Sequence, residues 1–460
     1  MLHNPGQTAL GWRRQLFSDL MHGVKLIHLF SLLDADTAPG PDYVGVEANG
    51  ISHYREARLA LNELGNFDDI VMHGKAQAVG RPVAILFSET GDICTLRICY
   101  WSSFPNTESL GLQSGNDMWG TAGAAKRALY IALKHRQLVV DVVTEEDLES
   151  VAVMSNYEVL YVVDPHVKTA AVRALIAWTY KGGTVISTVH GGMRDEVDAP
   201  SELASVFGIN VTKHVEVGVI NFIKRDIHAV PILDSASVNW AVFPEAWQKI
   251  VDQGVIEEDQ KVVGELSHCS WAEPAQVVAT YIDGTASATI QAHGKGSALW
   301  LGWHPGLAYF IDAIPNRPAD KGNTGANFNH FVPTQFNNAA RELLAMPALA
   351  SSTVSVPVVV SEDLIESGVI RADGIGIAIV LVNWSSHAGL SGLTVTLGFD
   401  VPWLTDATLA SGRSIVMSRV PHPHASRNTT LANSEVYRFT LDLQTTDVII
   451  LRETDVRAVT

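Results

Sequence analysis

Seven side chains able to do chemistry share one kind of place in this sequence. Glu89, Asp92, His190, Arg194, Asp195, Glu196 and His304 each follow closely after a short apolar run, and Asp164 and His166 follow another. Carboxylates, imidazoles and a guanidinium in such a set can hold a polyol through hydrogen bonds, or can knit loops together as an ion-pair network. Both readings stay open, because helix caps and polar turns draw on the same residue types. Either role requires the residues to meet, so the elements that carry them come next.

The runs 82–87, 138–143, 157–163 and 184–189 are rich in branched and aromatic residues and end in polar turns, which reads as buried strands. Between them lie helical periods. Ala125, Ala128, Leu129, Ala132 and Leu133 recur on one face with Lys126, Arg127 and Lys134 left for solvent, and Val172, Leu175, Ile176 and Thr179 mark a second helix that stops at Gly182-Gly183. Strands alternating with helices predict a parallel, doubly wound α/β sheet. Right-handed crossovers place all carboxyl ends of such strands on one edge, so the seven residues are expected to converge there.

Composition excludes several classes. The chain of 460 residues is 47% hydrophobic and 18% charged, which is a globular composition with room for two to four domains. A net charge of −17 opposes a nucleic-acid surface, which needs clustered Lys and Arg. Cys94, Cys99 and Cys269 are too few for a disulfide framework and lack metal-site spacing, and the 17 histidines form no HExxH-type face; no metal or cofactor is expected. No apolar run is long enough to span a membrane and no signal peptide is visible, so no membrane partner is expected and the cytoplasm is the default compartment.

Before the α/β region, residues 12–22 read as a helix with Leu16, Leu20 and Met21 inward, closed by Gly23; 24–30 as a strand; and 54–64 as a helix. A long Pro/Gly loop carrying Asp34 and Tyr43 lies between them. Beyond Pro200 the pattern weakens around Trp240, Phe243, Trp247 and Trp271, which read as core aromatics in preference to sugar platforms. A hairpin turning at Asp283-Gly284 and a strand ending at His304 follow, with a closing helix over 336–344 and a linker over Met346–Ser352. The runs 356–360, 375–383, 393–397, 436–443 and 447–451 then predict an antiparallel β-sandwich, beside which Trp384 can either pack or contact a sugar.

With these residues in view, Trp12, Arg13, Asp19-Leu-Met-His-Gly23 and Lys25-Leu-Ile-His-Leu-Phe30 resemble the end of the TIM barrel of family 42-like, β-galactosidase-type glycoside hydrolases. Val83–Ser88, Ala124–Tyr130, Val140–Val143, Tyr157–Leu160, Gly182–Val185 and Asp195-Glu196 resemble the trimerisation domain of those enzymes, a flavodoxin-like fold related to class I glutamine amidotransferases. The resemblance implies a partial barrel over 1–80, with Asp34 and Tyr43 as barrel-end contacts, a trimerisation-type domain over 81–347 and a β-sandwich over 355–460. It also implies a homo-oligomer with a possible carbohydrate ligand.

The same resemblance implies what is missing. Amidotransferases need a cysteine on a tight Gly-x-Cys-x-Gly turn, and none stands here; His190-Gly-Gly has no Gly-x-Ser-x-Gly elbow to accompany it. A retaining glycosidase needs two carboxyl groups about 5 Å apart. Where the resemblance places the nucleophile, the sequence reads Met1-Leu2-His3, and its first glutamate is Glu47. The expectation is therefore a truncated or remnant glycoside hydrolase-like chain with no catalytic residue of its own, hydrolysing β-galactosides only if an upstream barrel is supplied. A non-catalytic carbohydrate-binding or oligomerisation protein is the other reading.

Overall fold

The computed structural model describes residues 9–27, 45–76, 82–94, 120–216, 232–250, 259–311, 336–351, 354, 356–385, 389–423 and 434–453. Asp34 and Tyr43 lie outside them. The described residues fall into two compact units, one drawn from 1–80 and 356–460, the other from 81–316 and 335–355.

The first unit opens with helices α1 (Ala9–Met21), α2 (Gly45–Leu64) and α3 (Asp68–His73) and the two-residue strand β1 (Lys75–Ala76). Gly23 ends α1 at φ +93°, which a residue with a Cβ adopts at a cost. The strand expected over 24–30 does not form across Val24–Ile27, and 28–30 lie outside the described residues. Lys25 there donates to the Met72 carbonyl at 2.8 Å, a side-chain tie in place of a strand ladder.

The second unit holds β2 (Val83–Leu86), α4 (Gly120–His135), β3 (Val140–Val143), α5 (Glu145–Glu149), β4 (Val159–Val162), α6 (Thr169–Lys181) and β5 (Thr184–Thr188). It continues with β6 (Ile209–Glu216), β7 (Ile232–Val238), β8 (Asp259–Val263), β9 (Glu265–Trp271), β10 (Gln276–Tyr281), β11 (Ala286–His293), β12 (Gly296–Leu301), α7 (Pro305–Ile311) and α8 (Asn338–Ala350). Nine strands form one sheet in the order β3-β2-β4-β5-β12-β11-β10-β7-β8. The pairs from β3 to β12 are parallel and those from β12 to β8 antiparallel. Every residue of β2 and β4 is buried, as uninterrupted apolar strands with both faces covered must be. The antiparallel half comes from the stretch whose periodicity is weak. There Phe243 and Trp247 are buried, while Trp271 is 47% exposed and not core. A separate ribbon pairs β6 with β9.

Within the linker expected over Met346–Ser352, Met346–Ala350 are instead the end of α8, which is buried from Ala339 to Leu349 with Pro347 inside the helix, and Ser352 lies outside the described residues. A proline there costs about 3 kcal/mol, but burying a Leu or Met side chain returns about 1.5–3 kcal/mol each, and Leu343, Leu344, Met346 and Leu349 are all buried. The apolar sequence outweighs the helix breaker.

The chain re-enters the first unit as β13 (Val358–Val360), β14 (Ile365–Ala372), β15 (Gly376–Asn383), β16 (Leu390–Leu397), β17 (Thr408–Leu409), β18 (Ile415–Pro421), β19 (Glu435–Leu443) and β20 (Thr446–Arg452). Two antiparallel sheets result, β1-β14-β15-β20-β17 and β13-β16-β19-β18. In β15 the side chains alternate between two cores: Ile377, Ile379 and Leu381 join the core that contains β16 and β19, whereas Ala378, Val380 and Val382 join Trp12, Leu16, Phe17 and Leu20 of α1. The helices read as a barrel end therefore cover the outer face of a sandwich sheet. Arg13 donates to Thr446 at 2.7 Å, and buried Glu366 accepts from Ser18, from His22 and, at 3.0 Å, from the Trp384 indole, giving Trp384 its packing role.

Candidate functional site

Three parallel strands and β12 deliver polar groups to the carboxyl edge of the second unit. After β2, Ser88 is buried: its N–H donates to Asp164 at 3.0 Å and its hydroxyl reaches Glu145 at 3.1 Å and the His166 carbonyl at 2.7 Å. Glu145, at the start of α5 and 3% exposed, also accepts from the Thr90 N–H and hydroxyl and from the Lys168 N–H at 2.6 Å. Thr144 caps this short helix, accepting from the Asp147 N–H while Asp147 accepts from the Thr144 N–H. Asp164, after β4, pairs with Lys126 at 2.8 Å, and Asp92 lies 3.7 Å from the same ammonium. Burial pushes the carboxyls of Asp164 and Asp92 above the usual carboxylate range against the pull of Lys126. Gly91 is dictated by this crowding, since a Cβ there would sit 2.8 Å from that of Asp164.

The turn after β5 is tighter. Val189 is held at φ +48°, an outlier for a β-branched residue, by its N–H bond to Leu301 and by the Trp300 indole donating to its carbonyl at 2.8 Å. Gly191 packs so closely that a Cβ would lie 2.2 Å from the Val162 carbonyl oxygen. Between them His190 meets His214 of β6, ring centroids 3.6 Å apart. Burial first and His214 second push the His190 imidazole down to about 3. Burial likewise lowers His214. Beside them buried His304 bridges Thr188 through Nδ1 and Glu265 through Nε2, both at 3.1 Å. Burial acts first to raise Glu265, but the hydrogen bond and charge of His304 together with His214 and His190 leave its carboxyl below the usual range.

The next residues form an outer turn. Asp195 accepts from the N–H groups of Val197 and Ala199, and Arg194 reaches the Asp198 carbonyl at 3.1 Å. Glu196 accepts from the Thr169 N–H and hydroxyl at the start of α6, where the helix dipole favours an anion. Asp198 also meets buried His166, whose Nδ1 has no partner among the described residues.

The seven residues named from the sequence thus separate. Asp92 belongs to the buried Lys126–Asp164 network, with exposed Glu89 at its rim. His190 and His304 belong to the imidazole cluster. Arg194, Asp195 and Glu196 serve the outer turn and a helix start. Lys126 is not left for solvent as its helical face suggests: Asp164 draws it over the edge, above the Phe87 ring at 4.7 Å. Glu145, His214 and Glu265 escape sequence reasoning, because their partners lie 23 to 57 residues away and no local spacing marks them. The buried carboxylates Glu145, Asp164 and Glu265 are all engaged as acceptors and tie the loops of this edge together.

Neither a protein-family model nor a curated protein matches the sequence. Solved structures do match. A β-galactosidase from Bacillus circulans sp. alkalophilus aligns over 99% of this chain and 55% of its own at 17% identity and a TM-score of 0.57. A GH42 β-galactosidase from G. stearothermophilus aligns over 99% and 54% at 12% and 0.55. The α-L-fucosidase isoenzyme 2 from Paenibacillus thiaminolyticus aligns over 98% and 58% at 12% and 0.51. The resemblance to GH42 β-galactosidases holds as one of fold, and the chain spans about half the length of the proteins it matches, as a carboxyl-terminal part of that fold would.

Proposed function

We propose that this chain is the non-catalytic, assembly-forming part of a β-galactosidase-type glycoside hydrolase, with the catalytic carboxylate pair carried by a barrel that is not within these residues. One observation carries the reading: 99% of the chain aligns with a β-galactosidase while only 55% of that enzyme is accounted for. The parallel strand order β3-β2-β4-β5-β12 supports reading 81–347 as the flavodoxin-like, doubly wound trimerisation-type domain. The pinned carboxylates of its edge support a structural role for that edge, with carbohydrate met only by the assembled enzyme. On this reading the chain is a homo-oligomer in carbohydrate metabolism. Light scattering on the purified chain at micromolar concentration tests it: a defined oligomer is expected, and a monodisperse monomer would overturn it.

A further inference from the structure

The imidazole cluster joins two elements. The ribbon is anchored where Ile209 of β6 and Cys269 of β9 lie in the core of the second unit, and β9 is tied again further along, where the Ser267 N–H donates to the Gly302 carbonyl at 2.8 Å. Toward the other end, where Glu216 pairs with Glu265, β6 meets the sheet edge through His214 against His190. The His190 ring has no hydrogen-bond partner among the described residues, and it sits directly after the strained Val189. A contact between two neutral rings 3.6 Å apart is favourable, whereas the same contact between two cations is repulsive at short range.

We propose that His190 and His214 form an acid-sensitive latch that holds the far end of β6 on the carboxyl edge while both rings are neutral and releases it when they take up protons. The charged groups facing the pair fix the direction. Arg194, from the turn after β5, and His304, after β12, oppose a positive charge on His190; Glu265 of β9 favours one, but its carboxylate is already bonded to His304. Protonation adds one proton to each ring and breaks no covalent bond. A released imidazole titrates near 6.5, and the latched His190 near 3, so the latch loses stability as pH falls below 6.5. From these values opening rises roughly 25-fold between pH 7 and pH 5 through His190, which carries the response because His214 is exposed on its outer side.

Hydrogen exchange on the full chain at pH 7, 6 and 5, corrected for intrinsic exchange rates, reads this directly. Peptides of 209–216 should lose about 25-fold or more of their protection from pH 7 to 5, while those of β2 and β4 hold theirs. His190→Gln should remove most of the pH dependence at β6, and if that variant fails to fold, His214→Gln should reduce it measurably. Equal β6 protection at pH 7 and 5, a uniform loss across the sheet, or parental pH dependence in both variants would overturn the latch.

Discussion

Replacing Glu145 with Ala removes the one group that accepts from Ser88, Thr90 and Lys168 together, at 2.6–3.3 Å. Ser88 keeps its bond to the His166 carbonyl, but two backbone N–H groups and the Thr90 hydroxyl lose their acceptor. Each hydrogen bond to a charged group contributes about 1.5–3 kcal/mol net, and partial access of water to Thr90 and Lys168 discounts the sum to about 3 kcal/mol. Glu145→Gln keeps one carbonyl oxygen and should cost about half as much. For a unit of this size, 3 kcal/mol is a drop of about 6–12 °C in Tm. Urea unfolding followed by tryptophan fluorescence gives the free energies. An alanine variant within about 0.5 kcal/mol of the parent would refute the view that this edge is a structural network.

Lys126→Met leaves Asp164 buried without its cation and should cost about 3–5 kcal/mol, part of which Asp164→Asn restores in the same background; urea midpoints of the three proteins check this. Gly191→Ala drives a Cβ into the Val162 carbonyl and should cost more than about 3 kcal/mol or prevent soluble expression. Asp195→Ala, on the outer turn, should cost only about 1 kcal/mol and leave any thermal shift by galactose unchanged. Burial pushes the Cys269 thiol up to about 12, so a thiol reagent at pH 8 should label Cys94 and leave Cys269 unmodified until the chain unfolds, as mass mapping would show.

Much of the fold is legible because burial on two faces writes itself as an unbroken apolar run, as in Val83–Leu86, Val159–Val162 and Gly376–Asn383. What escapes is decided by long-range packing. Met346–Ala350 ends in small residues around a proline and reads as a linker, yet its helix is buried on every side. The strands β6 to β9 mix polar and apolar residues, because they lie at the sheet's end or in a two-stranded ribbon, and so lack a clean period. Topology brings the strand-end residues to one edge, but their division between a Lys126 network, an imidazole cluster and an outer turn depends on Glu145, His214 and Glu265, which no motif marks.

The central claim is that these residues carry assembly and not the glycosidic chemistry. Hydrolysis of an aryl β-galactoside by the purified 460-residue chain tests it most directly. No turnover above a blank is predicted. Turnover that persists through purification and disappears on Glu265→Gln or Glu145→Gln, in variants that remain folded, would contradict it.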